Sequence, residues 1–341
     1  MNTENVIRRL SDKELATTEK NRFALDVLAG FSQKPKAISS KYFYDDVGSE
    51  IFQKITQMQE YYPTRCEYEI LETHSPRVSE LVVEATGGEA DLNVIELGAG
   101  DGHKTFLLID QLLKDNIDFE YTPIDISTGA LEFLMERFNE KFPHARAEGL
   151  VSEYFQGMTW IRKNKFSRNL VLFLGSNIGN FSRAATEDFL VRLWHVLNDG
   201  DLVLIGFDLI KEIPLLTNAY SDPHGITRDF NLNLLSRMNR ELGANFEIEH
   251  FRHHAFYNPA ISAMESYIMS NRRQRVYIEA LHSTFDFGQG EPIHTEYSYK
   301  YSIDDIADLA AKTGFKIADN LFDDREFFVD SIWQVQKQIN D

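Results

Sequence analysis

The sequence predicts an α/β protein built on a doubly wound, mostly parallel sheet, with a second α+β unit formed by the N-terminal segment and an insert. Val94, Ile95 and Leu97 are apolar, and the strand that they predict leads into a turn with Gly98, Gly100 and Gly102. Such a strand, glycine turn and helix open many doubly wound sheets. Apolar runs of strand length then alternate with helical patterns up to residue 208, as a parallel sheet requires. After residue 211 the pattern changes, which indicates an insert.

The individual elements follow from hydrophobic periodicity. Residues 4–31 have helical spacing, and residues 40–71 are dense in aromatic and acidic side chains. We therefore expect a substrate-binding domain at 1–70 plus 211–300 and a cofactor-binding domain at 71–210 plus 301–341. The predicted helices are 130–142, 183–197, 214–242 and 302–313, and the predicted strands are 94–97, 121–126, 169–175, 201–208, 246–270 (an alternating segment), 276–287, 315–318 and 327–336.

Composition excludes several classes of protein. The chain has 341 residues and a formal net charge of -18, which disfavours binding to a polyanion, so we expect no nucleic acid. No apolar run approaches the ~18 residues of a membrane helix, and the polar start lacks a signal peptide, so no membrane association is expected. A single cysteine, Cys66, suits a reducing compartment. We expect a cytoplasmic monomer.

The glycine turn is the first candidate binding element. Gly98 and Gly100 permit a close approach of the backbone to a ligand, and the following helix presents its N-terminus there. A dinucleotide fingerprint wants its third glycine one position later, where His103 stands, which weakens an NAD interpretation. Glu96 before the turn and Asp125 at the end of the next strand are instead similar to the arrangement in S-adenosylmethionine (SAM) methyltransferases.

A set of linked motifs resembles one family, the histidine Nα-methyltransferases of ergothioneine biosynthesis. A more distant resemblance extends to fungal methyltransferases that act on a prenylated tryptophan. The resemblance implies a class I SAM-methyltransferase fold, which is Rossmann-like, and an amino-acid amine as the small-molecule substrate. Residues 41–52, 60–65, 98–104, 123–125, 175–181, 218–222, 230–231 and 295–298 carry it, in the family's order and approximate spacing.

The resemblance also implies a cofactor site for SAM. A carboxylate at Glu153 can accept from the adenine amino group and the ring of Tyr154 can flank the base, whereas Lys104 can reach a carboxylate or hydroxyl. Without the resemblance, Glu153 and Tyr154 would be interpreted as a surface loop. The implied cofactor residues are Gly98, Gly100, Lys104, Asp125, Glu153 and Tyr154.

The implied substrate residues suit an amino acid. An amide and a tyrosine hydroxyl can donate to its carboxylate, and Glu296 and Ser298 lie two positions apart, so they share one face of a strand and can bind both nitrogens of an imidazole. Taken singly, Glu296, Ser298 and Lys300 fit the water-facing side of an amphipathic strand. The implied set is Phe52, Tyr61, Asn180, Tyr220, Glu296 and Ser298.

Two positions depart from the family pattern. Asn177 stands where the family has threonine or serine, and Ser266 stands where we expect a larger apolar residue near the imidazole. Either changes the shape or polarity of a pocket and so bears on which substrate is chosen. An N-methyltransferase of a tryptophan-like or histamine-like amine, and a SAM-binding homologue without turnover, therefore remain alternatives.

Metal chemistry is not expected. His250, His253 and His254 lie close in sequence, but alternation along a strand sends His253 to the opposite face, and no carboxylate is placed to complete a tetrahedral set. The expected reaction is an in-line displacement in which positioning supplies most of the rate enhancement. No residue is assigned as a general base.

Overall fold

The computed structural model describes residues 5–10, 15–87, 91–165 and 168–337. The chain forms two compact units. Unit 1 consists of Met1–Leu10, Pro63–Ile210 and Lys300–Asp341, and unit 2 consists of Ser11–Tyr62 and Lys211–Tyr299. The division of labour expected from the sequence, with the cofactor and the substrate on separate domains, stays a prediction.

Fourteen strands are found in the described ranges. They are β1 (Val6–Arg9), β2 (Lys36–Ala37), β3 (Leu92–Leu97), β4 (Phe119–Asp125), β5 (Arg146–Val151), β6 (Arg168–Phe173), β7 (Leu202–Asp208), β8 (Phe251–Asn258), β9 (Ala263–Ser270), β10 (Gln274–Ile278), β11 (Ser283–Phe287), β12 (Pro292–Tyr299), β13 (Phe315–Phe322) and β14 (Phe328–Val335).

Ten α-helices accompany the strands in the same part of the chain. They are α1 (Leu15–Phe31), α2 (Asp46–Thr56), α3 (Tyr62–Thr86), α4 (Thr105–Lys114), α5 (Thr128–Lys141), α6 (Tyr154–Asn164), α7 (Arg183–Val196), α8 (Ile213–Tyr220), α9 (Ile226–Leu242) and α10 (Ile303–Lys312).

Unit 1 is built on an eight-stranded sheet in the order β1-β5-β4-β3-β6-β7-β14-β13. In this order, each pair of neighbouring strands from β1 to β7 is parallel. The strand β14 is antiparallel to both of its neighbours, β7 and β13. Every residue of β3 and of β7 is buried, as expected for strands covered on both faces. The predicted doubly wound fold with an antiparallel edge is therefore confirmed.

The order of the strands locates the binding edge. The chain runs outwards from β3 through β4 to β5 and then returns to the other side of β3 with β6 and β7. The strand order thus reverses at β3, and ligands of doubly wound sheets bind at the carboxyl ends of the strands at such a switch point. The glycine turn at Gly98 lies directly after β3.

The N-terminal prediction was wrong in part. The helix expected over residues 4–31 includes β1, which pairs in parallel with β5 and therefore belongs to the sheet of unit 1 rather than to a substrate domain beginning at residue 1. Residues 11–14 of the predicted helix lie outside the described ranges, and α1 spans Leu15–Phe31. Alternation in the four residues of β1 is too short to outweigh the helical period that follows it.

Unit 2 is an α+β unit. Its sheet has the order β2-β12-β9-β8, with a separate hairpin formed by β10 and β11, as the alternating pattern after residue 246 predicts. A buried aromatic and aliphatic cluster joins α1 and α9 to these strands, and the ring of Phe31 makes edge-to-face contacts with those of Phe246 and Phe287. The insert therefore has a core of its own.

Within the described ranges, no helix combines the length and the apolar character needed to cross a membrane.

Candidate functional site

The glycine turn of unit 1 has a backbone that favours glycine. Gly98 and Gly100 have φ values of +74° and +55°, a region that other residues adopt at a cost of roughly 1–2 kcal/mol. The amide of Gly98 donates to the carbonyl of Ile124 at 2.9 Å, which ties the turn to β4. Space is open around Gly100, where an added Cβ would meet no atom within 4 Å. The turn therefore forms a cradle beside the end of β3.

Gly102 performs the packing that the sequence analysis looked for at position 103. An added Cβ at Gly102 would lie 2.8 Å from Leu134 and 2.9 Å from Phe106. Because Gly102 has no side chain, the segment that leads into α4 lies close to Leu134 on α5 and to the ring of Phe106 on α4. His103 instead stacks on Tyr68, with ring centroids 5.0 Å apart.

Asp125 lies at the end of β4, next to this turn. Its Oδ1 accepts from the amide of Ser127 at 2.8 Å and its Oδ2 from that of Gly100 at 3.4 Å. Burial raises the pKa of Asp125, and these backbone hydrogen bonds oppose the rise. A carboxylate oxygen has two lone pairs, so both oxygens can accept further hydrogen bonds from a ligand hydroxyl.

Tyr154 closes the other side of the turn. An added Cβ at Gly98 would come within 2.7 Å of the Tyr154 hydroxyl, and the ring meets Phe173 edge-to-face at 5.8 Å. Burial, and secondly the charge of Asp125, raise the pKa of the Tyr154 phenol. The surface-loop alternative is wrong for Tyr154, whereas Glu153 just before α6 is exposed.

Glu96 stabilises the glycine turn from its buried side. The carboxylate is 4% exposed and accepts from the Thr105 hydroxyl at 2.5 Å and from the Tyr121 hydroxyl. It therefore links β3 to the start of α4 and to β4. Burial raises the pKa of Glu96 to about 7, although both hydroxyls oppose the rise.

Lys104 immediately precedes α4, and its ammonium forms an ion pair with Glu67 on α3. Glu67 was missed by the sequence analysis. A signal was present, because Glu67 lies three and four positions before Ile70 and Leu71, on the buried face of α3. An acidic residue on an apolar helix face indicates a buried partner.

Asn177 and Asn180 also lie in unit 1, in a 3-10 turn after β6. The Asn177 side-chain amide donates to the carbonyl of Leu174 at 2.9 Å and lies 3.5 Å from the position of an added Cβ at Gly98. The first departure from the family pattern therefore faces the glycine turn. Asn180 is half-buried at the end of the same 3-10 turn.

Unit 2 holds the other five predicted substrate residues: four lie on three of its elements, and Tyr61 lies in the loop just before α3. Tyr220 at the end of α8 shares a 2.7 Å hydrogen bond with the Ser298 hydroxyl on β12. Ser298 is 3% exposed, so its expected water-facing alternative is wrong, and Lys300 in unit 1 is likewise buried. Glu296 is half-exposed two positions earlier on β12, on the same strand face as Ser298.

An aromatic row lies beside these polar groups. The ring centroid of Tyr61 is 6.3 Å from that of Tyr220 and 6.2 Å from that of Phe52. Phe52 also contacts Tyr44 and Phe230, at 5.5 and 5.8 Å. Such faces accept a cationic ammonium group by cation–π contact.

Two sequence motifs and the second departure meet at β12. Ser266 on β9 is the direct partner of Glu296 across the strand pair, so their side chains point to one face. At the adjacent bulge, the Thr295 hydroxyl lies 2.9 Å from both the carbonyl oxygen of Ser266 and the side-chain oxygen of Asn231, either of which can accept its single proton. The motifs around residues 231 and 295 therefore contact each other.

The histidine cluster differs from expectation. His250 lies in a 3-10 turn before β8, and its ligand atom falls within 4.8 Å of those of Glu247 and Glu249, so carboxylates do lie nearby. The carboxylate of Glu247 already pairs with Arg272 at 2.7 Å, and both glutamates are exposed. His253 and His254 do not join this group.

Comparisons with known proteins identify the family of this chain. The family model described as "Histidine-specific methyltransferase, SAM-dependent" matches residues 23–335. A histidine N-alpha-methyltransferase of Mycobacterium tuberculosis is 37% identical over 84% of this chain and 87% of that protein. The corresponding enzyme of Mycolicibacterium smegmatis is 34% identical over 85% and 88%. Ergothioneine biosynthesis protein 1 of Neurospora crassa is 29% identical over 72% of this chain and 29% of that longer protein. This chain belongs to the family of SAM-dependent, histidine-specific methyltransferases.

Proposed function

We propose that this enzyme transfers methyl groups from SAM to the α-amine of L-histidine and forms Nα,Nα,Nα-trimethylhistidine (hercynine), the first step of ergothioneine biosynthesis. The observation that carries the proposal is the pair of Glu296 and Ser298 on one face of β12, with Ser298 held by Tyr220. A carboxylate and a hydroxyl suit the two nitrogens of an imidazole, one of which donates while the other accepts.

The residues of unit 1 fit SAM. Bound SAM would supply a methyl group on a positively charged sulfur, and the neutral amine would attack that methyl carbon in line while the methyl–sulfur bond breaks and S-adenosylhomocysteine leaves. We propose that Gly98 and Gly100 let the cofactor approach the backbone closely, and that the free lone pairs of Asp125 accept hydrogen bonds from the ribose hydroxyls. In this proposal Tyr154 and Glu153 flank the adenine. Lys104 offers an ammonium at the start of α4, where its three donors suit the cofactor carboxylate.

The residues of unit 2 orient the amino acid. We propose that Tyr61, Phe52 and Tyr220 present ring faces and hydroxyls to the amino-acid head group, and that Asn180 in unit 1 donates to its carboxylate. Holding a reactive geometry in this way contributes on the order of 7–11 kcal/mol in well-oriented intramolecular reactions. Three successive transfers need tyrosine faces that tolerate a growing ammonium head.

The test incubates purified enzyme with SAM and, separately, each of the twenty amino acids and histamine, and follows S-adenosylhomocysteine (SAH) and the mass of each amine. Histidine that gains three methyl groups supports the proposal. We expect Glu296→Gln to raise the KM for histidine strongly. Glu249→Gln, the same change at an exposed glutamate of unit 2, serves as the matched control and should leave it unchanged.

Other outcomes would reassign the function. Turnover of tryptophan or histamine alone would indicate that the serine at position 266 opposite Glu296 admits a different amine. SAH binding without turnover of any amine would indicate a homologue that has lost catalysis. The monomeric state and cytoplasmic location expected from the sequence are further proposals, tested by light scattering and by cell fractionation.

A further inference from the structure

A buried carboxylate that the proposed reaction does not use lies beneath the cofactor turn. Glu67 on α3 is fully buried, and both of its oxygens accept from the amide of Gly175, at 2.7 and 2.9 Å. Gly175 follows β6 and begins the segment that carries Asn177. Glu67 therefore fixes the carboxyl end of a strand beside the switch point.

The sheet is shaped to receive this side chain. An added Cβ at Gly206, in the middle of β7, would lie 2.2 Å from Oε1 of Glu67. Position 206 must therefore lack a side chain for the carboxylate to lie against β7. The close approach leaves Glu67 little freedom to move.

A second buried carboxyl lies near Glu67. Asp330 is the register partner of Gly206 on β14 and is fully buried, and its two oxygens find no donor among the described residues. Burial, and secondly the negative charge of Glu67, raise the pKa of Asp330 well above its usual value. The shift favours the protonated form, in which Asp330 can donate a hydrogen bond and adds no negative charge beside the pair of Glu67 and Lys104.

Lys104 joins this cluster to the cofactor turn. Its ammonium pairs with Glu67, and its side chain keeps 20% exposure while that of Glu67 has none. Burial lowers the pKa of Lys104, but the pairing with Glu67 outweighs burial and the pKa is raised. An ammonium has three donors, so Lys104 can pair with Glu67 and still donate to a ligand.

We propose that Glu67 is a positioning residue for SAM, which holds the Lys104 ammonium and the Gly175 amide in the geometry that binds the cofactor. The inference rests on the proposed function, because it takes SAM as the ligand of Lys104. Two other roles of Glu67 make different predictions. A purely structural ion pair with Lys104 would affect only the free energy of unfolding. If Glu67 instead competed with SAM for Lys104, its removal would release the ammonium and tighten cofactor binding.

The test measures SAH affinity by calorimetry, and separately KM for SAM and kcat, in Glu67→Gln. The amide retains an acceptor for Gly175 but loses the charge. We expect the Kd for SAH and the KM for SAM to rise at least tenfold, with kcat at saturating SAM within about threefold of the unmodified enzyme. Glu72→Gln, an identical change at an exposed position of α3, is the matched control and should change neither quantity.

Further variants at positions 67 and 104 make the outcome decisive. Glu67→Asp keeps the charge with a shorter reach, and we expect it to recover part of the affinity. The double variant Glu67→Gln/Lys104→Met should bind SAH no more weakly than Lys104→Met alone, because both changes remove one interaction. Should Glu67→Gln fail to fold, Lys104→Arg, which retains the pairing, is expected to bind SAH at least fivefold more tightly than Lys104→Gln.

Unchanged or tighter SAH binding in folded Glu67→Gln would overturn the inference, as would equal affinities of Lys104→Arg and Lys104→Gln. These results are distinguishable from failure of the proposed function. In that case the unmodified enzyme itself would bind no SAH, or would bind it and methylate no amine.

Discussion

The hydroxyl groups of Tyr220 and Ser298 lie 2.7 Å apart, although 78 positions separate the two residues in the chain. The bond joins the end of α8 to β12, and both side chains are buried. A buried hydroxyl pair of this kind restrains the orientation of both oxygens, because a buried polar group that loses a hydrogen bond raises the free energy of the folded state. The two residues should therefore act on the amino acid as one unit.

Removal of either hydroxyl tests whether Tyr220 and Ser298 act on the amino acid together. Tyr220→Phe and Ser298→Ala should each raise the KM for histidine by about 3- to 10-fold, as expected for one lost hydrogen bond, and the double variant should cost little more than the worse single one. The Kd for SAH, measured by calorimetry, should stay unchanged. Tyr277→Phe, at a tyrosine that is 42% exposed, is the control; fully additive losses would contradict a coupled pair.

The glycine turn gives a steric prediction. Gly98→Ala places a methyl group 2.7 Å from the Tyr154 hydroxyl at a φ of +74°, so SAH affinity should fall at least tenfold. Gly98→Ala/Tyr154→Phe should recover part of that loss, because the clashing oxygen is gone. Gly87→Ala, at a φ of +66° with nothing within 4 Å, carries the backbone strain alone and should leave the Kd for SAH intact. No recovery in the double variant would show that strain rather than the clash dominates.

Asp125 provides an electrostatic prediction. Asp125→Asn replaces one acceptor oxygen by a donor group, so the hydrogen bonds to the ribose hydroxyls lose charge assistance. A loss of roughly 1.5–3 kcal/mol, about 10- to 100-fold in the Kd for SAH, is expected. Asp188→Asn on α7, where the side chain is 71% exposed, is the comparison and should bind SAH normally. Similar affinities in the two variants would remove Asp125 from the cofactor site.

Glu96 predicts a pH dependence of stability. Burial raises its pKa to about 7 from a usual 4.5, so between these values the folded state holds a proton that the unfolded state has released. The contribution of Glu96 to the free energy of unfolding is therefore full below pH 4.5 and is lost as the pH rises through about 7. Glu96→Gln removes this titration. Relative to the unmodified protein, the variant should gain a few kcal/mol between pH 5 and pH 8 in urea unfolding; parallel stability curves would argue against a buried, titrating Glu96.

Much of unit 1 was predictable because its central strands β3, β4, β6 and β7 are largely apolar runs that end at or just before a glycine or an acidic residue. The runs at β3, β6 and β7 are buried on both faces, so composition alone indicates them. The strand β1 was missed because it has only four residues and precedes a helical pattern. Its place in the sheet depends on pairing with β5, which no local pattern reveals.

The candidate site shows a similar limit. Linked motifs pointed to Glu296, Ser298 and Tyr220, whose roles stay predictions, but the bond between Ser298 and Tyr220 depends on the fold of unit 2. Glu67 was missed because its partners Lys104 and Gly175 lie far along the chain, and a single acidic residue on a helix is ordinarily solvated. Pairing across distant segments is a tertiary property that periodicity does not encode.

The position of β14 has a consequence for the folding of unit 1. This strand follows β7 by more than a hundred positions, yet it lies between β7 and β13 inside the sheet rather than at its rim. Until residues 328–335 pair with β7, that strand has an open edge and Gly206 lacks its register partner Asp330. Unpaired strand edges favour aggregation, so a protein truncated before residue 328 would expose the edge of β7. The sheet of unit 1 is therefore complete only when β14 has inserted between its two neighbours.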